Sequence, residues 1–207
     1  MHDYSIDRSP KVKVLFGLTL LAVIGAPILN SYMRDFANYL GLDRASGGVA
    51  FTSVSVFGLF SFLYWLFNKY CWKWGWLRRH LLVPDLNGIW NCDGKTTLKN
   101  GQLIEFNWSA TVTIKQSWSH ILIYLKTAQS ESKSTAASIC REDGIGYRLI
   151  YSYANYPDAS NPDLLRHAGS AELLIDEQSA HAEGNYFTDQ HRLTVGTMKL
   201  RKITHGN

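Results

Sequence analysis

Gln102-Leu-Ile-Glu-Phe-Asn-Trp-Ser-Ala-Thr-Val-Thr-Ile-Lys115 alternates without a break. Ile104, Phe106, Trp108, Ala110, Val112 and Ile114 share one face; Glu105, Asn107, Ser109, Thr111, Thr113 and Lys115 share the other. A period of two belongs to a half-buried β-strand. Similar Val/Ile/Tyr-rich runs lie around it, and the strand candidates are 87–94, 102–116, 118–127, 130–141, 144–154, 168–176, 180–188 and 194–203. Gly, Asn, Asp and Ser separate them, and no amphipathic stretch between them is long enough for a helical crossover. Short strands at this spacing predict a sandwich or an up-and-down barrel.

Two of these runs bear on function. In Ser130–Arg141, the residues Ser130, Ser132, Ser134, Ala136, Ser138 and Cys140 share a face opposite Glu131, Lys133 and Arg141. With the charged face outward, such small inward side chains leave space inside a closed sheet, unless neighbouring aromatics fill it. In Gly144–Ala154, Tyr147, Tyr151 and Tyr153 share a face with Leu149, while Arg148 and Ser152 share the other with Ile150. Tyrosines on a cavity wall stack on flat polar ligands and hydrogen-bond to them. On a packed wall they are ordinary strand residues, and the alternation admits both readings.

The chain before Pro84 is of another kind. Residues 14–33 form a run of 20 uncharged positions, and 45–68 a run of 24. A helix needs about 20 apolar residues to cross a hydrocarbon core. Transmembrane helices are therefore expected over 14–33 and 49–67, joined by a connector at 34–48, with a buried soluble hairpin as the alternative. Tyr64, Trp65, Tyr70, Trp72, Trp74 and Trp76 suit the headgroup layer at one end of the second span. Lys and Arg flank the outer ends of the pair, whereas Arg34 and Arg44 in the connector are balanced by Asp35 and Asp43. The positive-inside rule then places both termini in the cytoplasm. Residues 1–13 become a cytoplasmic N-terminus, 68–83 an aromatic and basic juxtamembrane linker, and 84–207 a cytoplasmic sensor domain. Ser55, Gly58 and Ser61 recur every three residues, a small-residue face that suits helix association or simply the usual composition of membrane helices. Pro27 after Ile24-Gly25-Ala26 argues against cleavage as a signal peptide. Cys71, Cys92 and Cys140 are odd in number and scattered, as free thiols of a reducing compartment are. Cys71, at the membrane edge, is either acylated or inert.

The formal charge of +4 sits beside the hydrophobic segments: 68–84 carries Lys69, Lys73, Arg78 and Arg79 with no acid, while 85–207 has 12 Lys/Arg against 13 Asp/Glu. Gripping a polymeric phosphate backbone needs a clustered basic surface, so polymeric nucleic acid is excluded as a partner. There is no P-loop, HExxH, GxSxG or dinucleotide-binding glycine fingerprint, and the seven histidines lack metal-ligand spacing. Neither catalysis, nor a cofactor, nor a metal is implied. Sensing or binding remains.

Val83-Pro-Asp-Leu-Asn-Gly-Ile-Trp90, Thr113-Ile-Lys-Gln-Ser-Trp118, Thr127-Ala-Gln-Ser-Glu-Ser-Lys-Ser134, Tyr151-Ser-Tyr-Ala-Asn155, His167-Ala-Gly169 and Gly184-Asn-Tyr-Phe-Thr188 follow in that order. Together with the paired hydrophobic segments they resemble the SMODS-associated two-transmembrane β-strand-rich effectors of bacterial CBASS antiphage defence, over nearly the whole chain. The resemblance implies two N-terminal transmembrane α-helices followed by an all-β domain, a small eight-stranded antiparallel up-and-down β-barrel. It implies that the barrel binds a cyclic dinucleotide made by a phage-activated synthase, that the bound protein self-associates, and that its helices disrupt the inner membrane so that the infected cell dies. The partners implied are thus a cyclic dinucleotide, the lipid bilayer and further copies of the chain. For such a ligand, Arg148, Arg166, His167 and Arg192 are the phosphate candidates, and Trp118, Tyr151, Tyr153 and Tyr186 the stacking candidates. The Gly88-x-Trp90 start is shared with lipocalins, so a membrane-anchored lipocalin-like small-ligand binder or scaffold is the alternative.

Overall fold

The uncharged run after Lys13 lies within one long helix, α1 (Pro10–Tyr39), in the computed structural model of the chain. The structure describes residues 1–7, 10–40, 54–99, 101–158, 166–190 and 193–203. They form two units: Ser9–Trp74, and Met1–Arg8 with Gly75–Asn207.

In the first unit, Pro10 stands at the start of α1, where its missing N–H is not needed. Phe16, Leu21, Ile24, Ile28 and Tyr32 are exposed, as lipid-facing side chains are. Leu18, Ala22 and Ala26, spaced by four, make a buried stripe. Helix α2 (Val56–Lys69) begins at Ser55, whose hydroxyl accepts the Gly58 N–H at 2.9 Å. The helices approach closely at Gly25, where a Cβ would lie 3.3 Å from Leu59 Cδ2. Asn30 ties them further: its Nδ2 donates to the Val54 carbonyl at 3.0 Å and its Oδ1 accepts the Val54 N–H at 2.6 Å. A polar side chain satisfied at both ends is tolerated inside a bilayer. A 3₁₀ turn, Cys71–Lys73, follows, and helix α3 (Gly75–Leu81) opens the second unit.

The second unit is a sheet of nine strands: β1 (His2–Ile6), β2 (Gly88–Lys99), β3 (Gln102–Gln116), β4 (His120–Lys126), β5 (Ser130–Glu142), β6 (Gly146–Pro157), β7 (His167–Ile175), β8 (His181–Thr188) and β9 (Thr194–Lys202). Their order is β1-β4-β3-β2-β9-β8-β7-β6-β5, and the ring of pairings closes through β5. The expected fold, two transmembrane helices and a small eight-stranded antiparallel barrel, is corrected on three counts. Among the described residues there are nine strands. The additional strand, β1, comes from the N-terminal tail and pairs in parallel with β5. Among the described residues, one helix (α1) is long and apolar enough to span a membrane. The described part of α2 has 14 residues, about 21 Å against a hydrocarbon core of about 30 Å. Residues 49–53 of the expected second span lie outside the described residues.

Strand β1 enters a split between β4 and β5. Those two strands pair directly only from Tyr124↔Lys133 to Lys126↔Glu131. Below that they diverge, and β1 fills the gap, antiparallel to β4 at His2↔Ile121 and parallel to β5 from Tyr4↔Ala137 to Ile6↔Ile139. Ser134 stands at the fork, its Oγ accepting the Ile123 N–H at 2.9 Å and meeting His2 Nε2 at 2.7 Å. The register of β5 slips just beyond, between Ser134 and Ala136. One extra residue in a strand swaps its faces. The serine face read from the sequence is therefore inward only through Ser134; past the bulge Ala137 and Ile139 take over, and Ser138 turns out to bond Ser5 at 2.7 Å.

Candidate functional site

The two ends of the closed sheet are built differently. Where the chain arrives at β2, the interior is packed with Leu86, Trp90, Ile114, Ile121, Ile139, Leu149 and Ile175. Gln116 seals that end: its Oε1 accepts the Leu86 N–H at 2.9 Å, and its Nε2 donates to Tyr4 Oη at 3.1 Å and to the Pro84 carbonyl at 3.2 Å. Burial pushes the Tyr4 hydroxyl up to about 12, so it remains protonated as a neutral hydrogen-bonding group.

Toward the β2–β3, β4–β5, β6–β7 and β8–β9 connections, the inward side chains shrink and a cavity of about 330 Å³ remains. Around the ring, large and small residues face each other across strands: Tyr151 opposite Ala171, Ala171 opposite Tyr186, and Tyr186 opposite Gly196. Glycine is required at three such pairings. A Cβ at Gly94 would sit 2.1 Å from the Trp108 ring, one at Gly169 2.5 Å from Tyr153, and one at Gly196 2.6 Å from Tyr186. Each ring lies over the glycine facing it, in the manner of aromatic rescue, rather than across the hollow. The cavity is open because the rings lie down.

Its described wall mixes polar and apolar side chains. Thr96 Oγ1 meets Tyr186 Oη at 2.6 Å, and Trp108 Nε1 donates to the same oxygen at 3.2 Å, the two rings standing edge to face at 5.6 Å. Tyr151 and Tyr153 lie 6.0 Å apart. Burial holds the Tyr151 hydroxyl far above its ordinary value, with Tyr153 adding to the effect; it stays a neutral donor. Ser132, Asn155 and His167 face one another in a row across β5, β6 and β7. Among the described lining residues, none is Lys, Arg, Asp or Glu.

The structure thus brings Tyr151, Tyr153, His167 and Tyr186 together on one cavity. It places the other sequence candidates elsewhere. Trp118 is buried in the turn between β3 and β4, at the sealed end. Arg148 is on the outer face of β6, bonded to Glu142 and Glu172. The alternation already required this, since Arg148 cannot face inward while Tyr151 and Tyr153 do. Arg166 is exposed before β7, its guanidinium 4.7 Å above the outward Tyr156 ring. Arg192 lies outside the described residues. Thr96, Trp108, Ser130 and Asn155 line the cavity and were not among the candidates. Trp108 and Ser130 carried a signal in their faces, and Asn155 carried one as the next inward position after Tyr153.

A closed sheet with one sealed end and one hollow, tyrosine-lined end, in a chain that also has a membrane-spanning helical region, defines a membrane-anchored small-ligand receptor. Residues 81–202 match the family model described as Cap15, cyclic dinucleotide receptor domain, and residues 12–73 the one described as Cap15, TM helices. CD-NTase-associated protein 15 of Yersinia aleksiciae is 39% identical over 155 residues, 75% of this chain and 73% of that protein. The chain belongs to the Cap15 family of CBASS-associated proteins, and strands β2 to β9 of its sheet lie within the part that matches the family's cyclic dinucleotide receptor domain. The matched domain is a receptor rather than a catalytic one. Among the described residues, no group of three or more His, Cys, Asp or Glu side chains is placed to hold a metal ion.

Proposed function

We propose that the chain is an antiphage effector whose cavity takes up a cyclic dinucleotide, and that occupancy drives self-association and disruption of the bacterial inner membrane, killing the infected cell. The observation that carries the reading is the hollow half of the sheet, which lies wholly within the residues matched by the receptor-domain model. Ligand pockets typically measure roughly 300–1,000 Å³, and this one falls within that range. Tyr151, Tyr153, Tyr186 and His167 are the contacts assigned to the ligand, the rings offering faces on which a base can stack. In this reading both termini are cytoplasmic. Ser55, Gly58 and Ser61 form the surface along which copies associate; all three are exposed on the α2 segment, and small side chains let helices approach closely in lipid.

The test uses the full-length protein in detergent. Calorimetric titration with 3′,5′-linked cyclic dinucleotides carrying A, G, C or U should show selective binding of at least one, and light scattering should show a larger particle when it is bound. Binding of none of the four would refute the receptor assignment for this chain. Binding with no change in particle size would refute the coupling to self-association.

A further inference from the structure

One strand of the sheet is not joined to it by a turn. Each of β2 to β9 pairs with a strand next to it in the chain. Strand β1 does not: the whole helical unit, Ser9–Trp74, separates it from the rest of the sheet. Its partners β4 and β5 lie more than a hundred residues further on. A tight turn obliges a strand to dock on its own copy. With a separate unit between, the chain does not choose between its own β4–β5 split and the identical split of a neighbour. Exchange of an identical element is a low-cost route to assembly.

The hold on β1 is light. It pairs at two positions with β4 and three with β5, whereas β5 and β6 pair at twelve. Tyr4 is its one buried side chain. The split itself needs an occupant. Without β1, the diverging stretches of β4 and β5 become two sheet edges whose unpaired N–H and C=O groups are a template for an extended strand.

The split also borders the cavity. The directly paired part of β4 and β5 supplies Leu125 and Ser132 to the cavity wall. Ser134, the next inward position on β5, is the residue that meets His2 Nε2 at 2.7 Å. A ligand pressing on this seam acts beside the end of β1.

Resting on the reading that occupancy drives self-association, we propose that it does so by strand exchange: β1 leaves its own split and docks in that of a second copy. The β4–β5 split is then an interface between copies, and the segment that fits it is the neighbour's His2–Ile6. Each copy gives one strand and receives one, a head-to-tail contact that can extend from copy to copy. Three residues, 7–9, lie between β1 and α1 in the sequence, so the exchanged strand ties each receptor sheet to a neighbour's membrane helix.

Ser5 and Ser138 report on the exchange, since they pair across β1 and β5 with their hydroxyls 2.7 Å apart. All proteins are full length and carry Cys71→Ser and Cys140→Ser, because the Cys140 sulfur lies 3.8 Å from Ser138 Oγ. A Ser5→Cys copy and a differently tagged Ser138→Cys copy are mixed in detergent and oxidised with copper phenanthroline, with and without each of the four cyclic dinucleotides. A disulfide-linked species carrying both tags should appear with the ligand that enlarges the particle, and should be scarce without ligand. It should also be scarce when Ser109→Cys, exposed on β3, replaces Ser138→Cys. In the second arm, Ser5→Cys and Ser138→Cys stand in one copy and are oxidised before ligand is added. That locked protein should bind the ligand but lose the ligand-dependent growth in light scattering, and dithiothreitol should restore it. Growth of the locked protein equal to that of the unlocked one would overturn the exchange. So would a two-tag species that is absent, equally abundant without ligand, or matched by the Ser109→Cys control, while the unlocked protein grows. In each of those cases the receptor reading stands. An unlocked protein that binds none of the four, or binds without growing, would instead refute the reading on which the exchange rests, and the exchange with it.

Discussion

Gly94→Ala tests whether flattened aromatic rings keep the cavity open. The three heavy atoms nearest a Cβ at that position all belong to the Trp108 ring, at 2.1, 2.2 and 2.5 Å, where ordinary contact begins at 3.4 Å. The ring must therefore move by at least about 1.3 Å. Overpacking of this kind typically costs about 1–3 kcal/mol. Moving the ring also breaks the 3.2 Å bond from Trp108 Nε1 to Tyr186 Oη and their edge-to-face contact, together worth about another 1–2 kcal/mol. The variant should lose about 2–5 kcal/mol in urea unfolding and bind cyclic dinucleotide more weakly, since a ring that cannot lie on residue 94 intrudes on the hollow. A double-mutant cycle isolates the cause. In a Trp108→Ala background the clash is gone, and an alanine in a strand is more favourable than glycine by roughly 0.5–1 kcal/mol, so Gly94→Ala should then be neutral or stabilising. An equal loss in both backgrounds would refute the reasoning.

Three further outcomes are expected. Tyr4→Ala should destabilise the sheet by about 3–5 kcal/mol in urea unfolding, because Tyr4 is 3% exposed and anchors β1 in the β4–β5 split; an unchanged midpoint would mean that β1 does not dock there in solution. Cys92, whose thiol burial pushes up to about 12, should resist iodoacetamide at pH 8 until the protein is unfolded, while Cys140 is labelled earlier, as peptide mass mapping would show. Arg148→Ala should leave ligand affinity unchanged, because its guanidinium faces Glu142 and Glu172 on the outer surface. Arg148 holds the Glu142 carboxyl below its ordinary value, so the stability this pair adds is complete above the ordinary carboxylate range and lost as pH falls through the lowered value. Acid titrations of wild type and variant should therefore diverge above that range and converge below it.

The strands β2 to β9 and the faces of β3 and β6 were legible in the sequence, because alternation is a local property set by the geometry of the extended chain. Local too was the apolar run of α1, and so was the absence of an enzyme signature. The inward tyrosines followed from the same period, and three of the eight ligand-contact candidates, Tyr151, Tyr153 and Tyr186, reached the cavity by that route, with His167 beside them.

What escaped the sequence depends on partners far along the chain. His2-Asp-Tyr-Ser-Ile6 is too short and too polar to declare itself a strand; it becomes one because β4 and β5, more than a hundred residues away, part to receive it. The bulge after Ser134 reverses the faces of β5 without altering its composition. The glycines at 94, 169 and 196 read as weak strand positions until the ring across the ladder is known. The sequence alone determined which residues alternate and which stretch suits lipid, since those are properties of neighbours on the chain. Only the tertiary structure decided which half of the sheet is hollow and which side chains line it, since space belongs to side chains that meet only when the ring closes.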